Sequence, residues 1–421
     1  MAVTGFACPF ARLLSCKHIV SRNLIRSVRI CERVCSRYSY HSISLLSSCH
    51  VAARSLSSSS FVKRTNSRNS IIFFASSQAL FQHDRRYCST NPQVEQSESD
   101  PQLLTKSHLL HLCETIKKEL NTSIRPLRDV SHYYFDGQGK YIRPMIVLLT
   151  AGACNNHTCN SRTILPSQET VVMVSEMIHT ASLVHDDVID GADTRRGKTS
   201  VNKMFGEKMS VLAGDYILSC ASQALARLGN AEVVELLAKV VDDLIKGEFM
   251  QLGSKEHPDE RFNHYLEKTY KKTASLIACC CKAVSVFGGC SPEIQEIAYQ
   301  YGKNIGMAFQ VVDDILDFIS TDVEMGKPTA TDLQLGLATA PVLFACEQFP
   351  DLNALIMRRF KGPNDVEEAR QAVYKSDGIA RSYTLASQYA KEAVRQINKL
   401  SPSPHRDALV KITQEVLKRR K

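Results

Sequence analysis

From about Pro101 to the C-terminus, apolar residues return every third or fourth position, and no stretch alternates as a half-buried strand would. Ile297, Tyr301, Ile305, Ala308, Val312, Leu316 and Ile319 form one such stripe, which predicts a helix of more than six turns. Its start is marked locally. Gly288-Gly289 end the preceding helix, Ser291 can cap, and Pro292 suits the first helical turn. The polar stretch Gly152 to Ser167 reads as a loop, and there is no internal repeat of fixed period. No run of about 18 apolar residues lacks charge, so no membrane-spanning helix is expected. The pattern predicts an all-α protein with one large helical domain.

Charge divides the chain unevenly. The 421 residues carry 52 Lys+Arg and 43 Asp+Glu, a net of +9. Residues 1–94 hold 13 of the basic residues and only Glu32 and Asp84, a local net of +11, which leaves 39 basic against 41 acidic residues, −2, in 95–421. A nucleic-acid binder would spread basic charge over its fold, so nucleic acid is not an expected partner. An Arg- and Ser-rich, acid-poor leader is instead the pattern of a mitochondrial transit peptide, with no continuous apolar core to make it a secretory signal. The division expected is 1–94 as transit peptide and linker, ending in the polar stretch Cys88 to Pro101, and 95–421 as the folded domain. Arg85-Arg86-Tyr87-Cys88-Ser89 would suit processing.

The 15 cysteines do not describe a disulfide framework. Six lie in the leader, and the others show neither paired C-x-x-C motifs nor zinc-like His spacing. Cys279-Cys280-Cys281, consecutive on a helix, point in three directions and cannot chelate one ion. They read as small buried hydrophobes.

The chemistry lies in two acidic clusters, His185-Asp186-Asp187-Val188-Ile189-Asp190 and Gln310-Val311-Val312-Asp313-Asp314-Ile315-Leu316-Asp317. Each places carboxylates at i and i+4 on one helix face, about 6 Å apart along the axis. A single acidic run is usually a solvated face. Two copies 127 residues apart, both inside apolar helices, put repelling charges where a structural helix would avoid them. Divalent cations with oxygen ligands resolve that conflict, and Mg2+ commonly bridges one or two carboxylates to a phosphate. Cations accompany the clusters: Lys140 and Arg143 at the start of a helix, Arg195 and Arg196 after the first cluster, Lys272-Thr273, and Gly326-Lys327-Pro328. Arginine binds phosphate bidentately and lysine as a point charge. Together they describe a site for two diphosphates.

Asp186-Asp187-x-x-Asp190 with Arg195-Arg196, Gly139-Lys140…Arg143-Pro144, Lys272-Thr273 and Phe309-Gln310-x-x-Asp313-Asp314-x-x-Asp317 resemble the trans-isoprenyl diphosphate synthase family. The resemblance runs from about residue 105 to the end and is narrower still to the decaprenyl-forming members. It implies an all-α fold around a central cavity and a Mg2+-dependent prenyltransferase that extends an allylic diphosphate, farnesyl or geranylgeranyl, with isopentenyl diphosphate. By the family's motifs Asp186, Asp190, Asp313 and Asp317 are metal ligands, with Asp186, Asp190, Asp313 and Lys272 the catalytic set. Arg195, Lys272, Thr273, Gln310 and Lys327 attend the allylic diphosphate, and Lys140, Arg143, His179 and Arg196 the isopentenyl diphosphate. An isolated His179 would read as a core histidine; its place seven residues before Asp186, on the same face, favours the site. Gly191 departs from the family, which often has another acid there. The resemblance also implies a decaprenyl or nonaprenyl product for the ubiquinone tail, and a second synthase subunit in a hetero-oligomer, or else a homodimer. Peripheral association with the mitochondrial inner membrane, from the matrix side, is a further expectation.

Other readings are a non-catalytic subunit, a shorter-chain synthase and a terpene cyclase. Retention of both clusters argues against the first, and the isopentenyl-site cations Lys140, Arg143 and Arg196 against the last. Small residues at Ala181 and Ser182, five and four before Asp186, leave room for a long tail beside that helix.

Overall fold

The computed structural model describes residues 98–137, 139–195, 197–253, 258–319 and 330–419. The leader, Arg196 and Lys327 lie outside these. The chain runs through α1 (Pro101–Leu110), α2 (Leu112–Glu119), α3 (Arg125–His132), α4 (Ile142–Cys159) and α5 (Pro166–Ile189). After a hairpin of β1 (Thr194–Arg195) and β2 (Lys198–Thr199) come α6 (Val201–Phe205), α7 (Glu207–Arg227), α8 (Ala231–Leu252) and α9 (Pro258–Thr269). A π turn (Tyr270–Ala274) joins α9 to α10 (Ser275–Phe287), and α11 (Pro292–Ile319) follows. The C-terminal part contains α12 (Thr331–Gln334), α13 (Ala340–Ala345), α14 (Leu352–Met357), α15 (Asp365–Lys375), α16 (Gly378–Ile397) and α17 (Pro404–Lys418).

Several helix starts are written in the sequence. Asp100 accepts from the amides of Gln102 (2.8 Å) and Leu103 (3.2 Å), Asn230 from Val233 (3.0 Å), and Ser403 from Arg406 (3.2 Å). Each such cap contributes about 1 kcal/mol. Burial of apolar side chains contributes more. Met177, Ile178 and Ala181 of α5 pack with Ile217 of α7, Leu237 of α8 and Leu276 of α10. Ile146 of α4 packs with Ile305 and Val312 of α11, Ala390 of α16 and Ile412 of α17. Each large side chain so buried contributes roughly 1.5–3 kcal/mol. No helix among the described residues is long and apolar enough to cross a membrane.

The two central helices approach closely because glycine permits it. A Cβ at Gly302 or Gly306 of α11 would stand 2.8 Å from Ala278 Cα or 2.7 Å from Ala274 Cα. Backbone therefore lies on backbone, and the π turn is held against α11.

The stretch from Gly152 to Ser167 is a loop only over 160–165: α4 continues to Cys159 and α5 begins at Pro166. Gly152 faces the His405 ring, where a Cβ would be 2.4 Å away, and the Asn155 amide is buried, donating to Thr163 O (2.7 Å) and Gln168 Oε1 (2.8 Å). Polar residues there serve a packed interior. The predicted stripe on α11 is buried from Tyr301 to Leu316, while Ile319 at its end is 42% exposed. The small hairpin also departs from the pattern; Gly197 at φ 74° permits its tight turn, too short for an alternating signal. All nine cysteines of the described residues are free, and Cys279, Cys280 and Cys281 are buried as expected.

Candidate active site

The first acidic cluster ends α5, and its three aspartates have different surroundings. Asp187 is fully buried and accepts from Tyr134 Oη (2.8 Å) and Arg195 Nε (2.7 Å). It is the structural member, tying α5 to the hairpin and to the segment after α3. Asp186 and Asp190 face the other way, toward α8. Burial, then the neighbouring Glu248, raise the proton affinity of both; Lys272 and Arg195 counter this without cancelling it. Asp186 is pushed up to about 7. Asp186 is half-buried and Asp190 exposed at the helix end, and together they are oxygen donors short of positive charge. His185 beside them fits against α7 because residue 214 is glycine, where a Cβ would be 2.2 Å from His185 Nε2.

The π turn links the clusters through consecutive residues. Lys272 Nζ donates to Glu248 Oε2 (2.6 Å) and Gln251 Oε1 (2.8 Å) on α8, close enough to act on Asp186. Thr273 Oγ1 donates to Gln310 Oε1 (2.7 Å), whose amide donates to Asp314 Oδ1 (2.9 Å). Tyr265 Oη completes the support of Asp314 at 2.6 Å. A π turn widens the helix locally and recurs at functional sites. The sequence pattern suggests a turn-like setting for Lys272; it lies in helix throughout, and Gly247 gives its stem room, since a Cβ there would be 2.7 Å from Lys272 Cγ.

In the second cluster Asp313 has a different cation set. Burial raises its proton affinity, while Arg419 most strongly, then Arg143 and Lys140, oppose the rise. Arg419 donates to Asp313 Oδ1 and lies over the Phe309 ring at 4.2 Å, with Arg143 near the same ring at 5.8 Å. Arg143 Nη1 meets His179 Nε2 at 3.1 Å, joining α4 to α5. Lys140 is not on the helix face, because Tyr141 takes a left-handed backbone (φ 48°) before α4 begins. Such a conformation in a bulky residue is strained, and strain of this kind gathers at functional sites. Asp317 accepts from the amides of Thr331 (3.1 Å) and Asp332 (3.0 Å), so it also anchors the start of α12.

Of the residues singled out in the sequence, Asp186, Asp190, Arg195 and Lys272 thus share one region, and Lys140, Arg143, His179, Gln310, Asp313 and Thr273 an adjoining one. Arg196 and Lys327 fall outside the described residues. Glu248, Gln251 and Arg419 were missed. The first two sit on an ordinary amphipathic helix with no signal. Arg419 had one, the basic run Lys418-Arg419-Arg420-Lys421 at the chain end, and one of its guanidinium nitrogens is buried without a hydrogen-bond partner.

An all-α scaffold presenting two aspartate clusters ringed by Lys and Arg defines a diphosphate-handling, prenyl-transferring enzyme. The chain belongs to the polyprenyl synthetase family, whose sequence pattern matches residues 124–374. It is 61% identical over 323 residues to the all-trans-polyprenyl-diphosphate synthase PDSS1 of Mus musculus, covering 77% of this chain and 79% of that protein. Identity to decaprenyl-diphosphate synthase subunit 1 of Schizosaccharomyces pombe is 43% over 343 residues, 76% of this chain and 91% of the relative. Among solved structures, a polyprenyl synthase from Caulobacter crescentus complexed with calcium and isoprenyl diphosphate superposes with a TM-score of 0.69 at 26% identity, covering 76% of this chain and 97% of that one. The chain is a prenyltransferase of the long-chain trans-polyprenyl diphosphate synthase class.

Proposed function

We propose that the chain extends an allylic diphosphate by successive units of isopentenyl diphosphate, with the allylic diphosphate at Asp186, Asp190, Lys272 and Arg195. The isopentenyl diphosphate is held by Lys140, Arg143 and His179, joined by Arg196, and Lys327 attends the allylic group. The observation that carries this is the π turn, whose Lys272 reaches the first cluster while Thr273 reaches the second. Consecutive residues reaching both clusters support two neighbouring diphosphate regions, as head-to-tail condensation requires.

Magnesium fits the donors present. Among the described residues no three His, Cys, Asp or Glu side chains converge to cage an ion by themselves. The hard carboxylate oxygens of Asp186, Asp190 and Asp313, whose proton affinity is raised because nearby cations do not balance them, suit a metal which keeps waters and is completed by substrate phosphate. Asp186, Asp190 and Asp313, with Asp317, would hold it, and when bound it supplies charge that stabilises the departing diphosphate. The protein's part is electrostatic and positional. Lys272, fixed by Glu248 and Gln251, and Arg195, fixed by Asp187, aim preorganised cations at the leaving group, so no reorganisation is needed as charge develops. Arg143 and His179 orient the isopentenyl diphosphate, and its double bond attacks the allylic carbon. Arg419, stacked on Phe309, joins this second region. No protein nucleophile takes part.

The product is a long chain, of the decaprenyl or nonaprenyl size used for ubiquinone, made in the mitochondrial matrix with a second synthase subunit. The fission-yeast relative's designation as a subunit 1 and the basic leader support this. The test is Asp186→Ala and, separately, Asp313→Ala at saturating magnesium. Turnover should fall by several orders of magnitude with the helical content retained; near-normal turnover in either contradicts the assignment.

A further inference from the structure

A cavity lies behind the diphosphate site and shares walls with it. It is lined by Arg261, His264, Tyr265 and Lys268 of α9, by Gln251 of α8, and by the segment Gly336 to Ala338 after α12. Among the described residues three basic side chains and no carboxylate line it. Two of its walls belong to the active site as well. Gln251 accepts from Lys272 Nζ at 2.8 Å, and Tyr265 donates to Asp314 at 2.6 Å. Lys268 precedes Lys272 by one helical turn, so the cations continue from the site into the cavity along one side of α9 and the π turn.

Lys268 is the unusual member. No hydrogen bond or salt bridge among the described residues takes its ammonium, which lies 5.8 Å from the centre of the Tyr265 ring. Burial lowers its proton affinity, while the carboxylates of Asp314 and Asp332 behind it oppose the loss. Arg261, 7% exposed, is anchored by Asn353 Oδ1 at 2.5 Å. A sheltered cationic cavity is stabilised by an anion with several acceptor oxygens.

The reaction makes such an anion in every round. The allylic C–O bond breaks and its electron pair leaves with inorganic diphosphate. The double-bond electrons of isopentenyl diphosphate form the new C–C bond, and a proton of that unit passes to the departing diphosphate as a double bond re-forms. The lengthened chain then carries its own diphosphate, which must occupy the place beside Lys272 before another round. We infer that the cavity of Arg261, His264 and Lys268 is an exit subsite for inorganic diphosphate, reached past Lys272 and Gln251, and that it lets the leaving group clear the site while the growing chain stays bound. This rests on Lys272 being a ligand of the allylic diphosphate.

Calorimetric titration of the full chain with inorganic diphosphate tests it, in magnesium, with isopentenyl diphosphate present to fill that substrate's own region, and with its second subunit if the preparation contains one. The wild type should show a second, weaker binding event. Lys268→Met, and independently His264→Ala on the half-buried rim, should weaken that event about tenfold and leave the tighter one. In assays with excess isopentenyl diphosphate, both variants should also accumulate intermediate chain lengths. A single binding event in wild type, or a second one unchanged in a folded variant of either kind, overturns the exit subsite. Lys272→Met separates the two ideas. If it leaves the tighter event intact, the allylic assignment of Lys272 fails, whatever the cavity does.

Discussion

Asp186 shows what an acidic cluster costs before a metal arrives. Burial, then repulsion from Glu248 and Asp190, raise it from an ordinary 3.8 to about 7. A carboxyl whose folded pKa lies above its unfolded value favours the fold only while protonated, so that contribution is present below about 4 and is lost as pH rises toward 7. In metal-free buffer Asp186→Asn should therefore melt higher than wild type at pH 8, by roughly 1–3 kcal/mol, and gain nothing at pH 4. Equal gains at both pH values would mean that the substitution acts through packing. The motif aspartates stood out in the sequence because like charge at helical spacing inside apolar stripes has no structural explanation, whereas Lys272, Arg143 and His179 took their roles from the motif resemblance. Glu248, Gln251 and Arg419 were not, because each acts only through a partner distant in sequence; Arg419 meets Asp313 across 106 positions.

At the scale of elements, the proposed binding of the allylic diphosphate at Asp186 would make α5 set product length. Ala181 and Ile178, buried one and two turns before Asp186, belong to the core shared with α7 and α10. Ser182 is half-buried, its hydroxyl donating to His179 O at 2.9 Å. A tail growing along this helix meets small side chains first and gains about 25 cal/mol per Å² buried. Ala181→Phe should stop elongation near fifteen or twenty carbons, read by mass analysis of the product, at a stability cost of about 1–3 kcal/mol from overpacking. A folded, active Ala181→Phe enzyme with the original product length would show that the tail runs elsewhere. The helices themselves followed from periodicity. The π turn did not, because its signal is a backbone approach, Gly306 on Ala274, that no single segment encodes. The polar stretch after Gly152 misled for a related reason: its asparagine is satisfied by Thr163 and Gln168 inside the fold, where polarity alone suggested solvent.

At the scale of the whole molecule, charge separates residues 1–94 from the remainder. The net of +11 in residues 1–94 against −2 in the remainder predicts that the leader fused to a reporter is imported into mitochondria; retention in the cytosol would remove the matrix assignment. In the remainder, the near-neutral balance hides a local concentration of both signs, acids at the ends of α5 and α11 and cations from α4, the hairpin, the π turn and the C-terminus. The all-α class was legible because its apolar repeat persists along the domain, whereas the convergence of six segments on one site could be reached only through the motif resemblance. The central claim is that these segments make one magnesium-dependent condensing site. Its most direct test is incorporation of labelled isopentenyl diphosphate into an allylic primer, with product mass read for the chain alone and with a candidate second subunit. A long polyprenyl diphosphate should form with magnesium and disappear with chelator. Primer ionisation without incorporation, or incorporation indifferent to chelator, would contradict it.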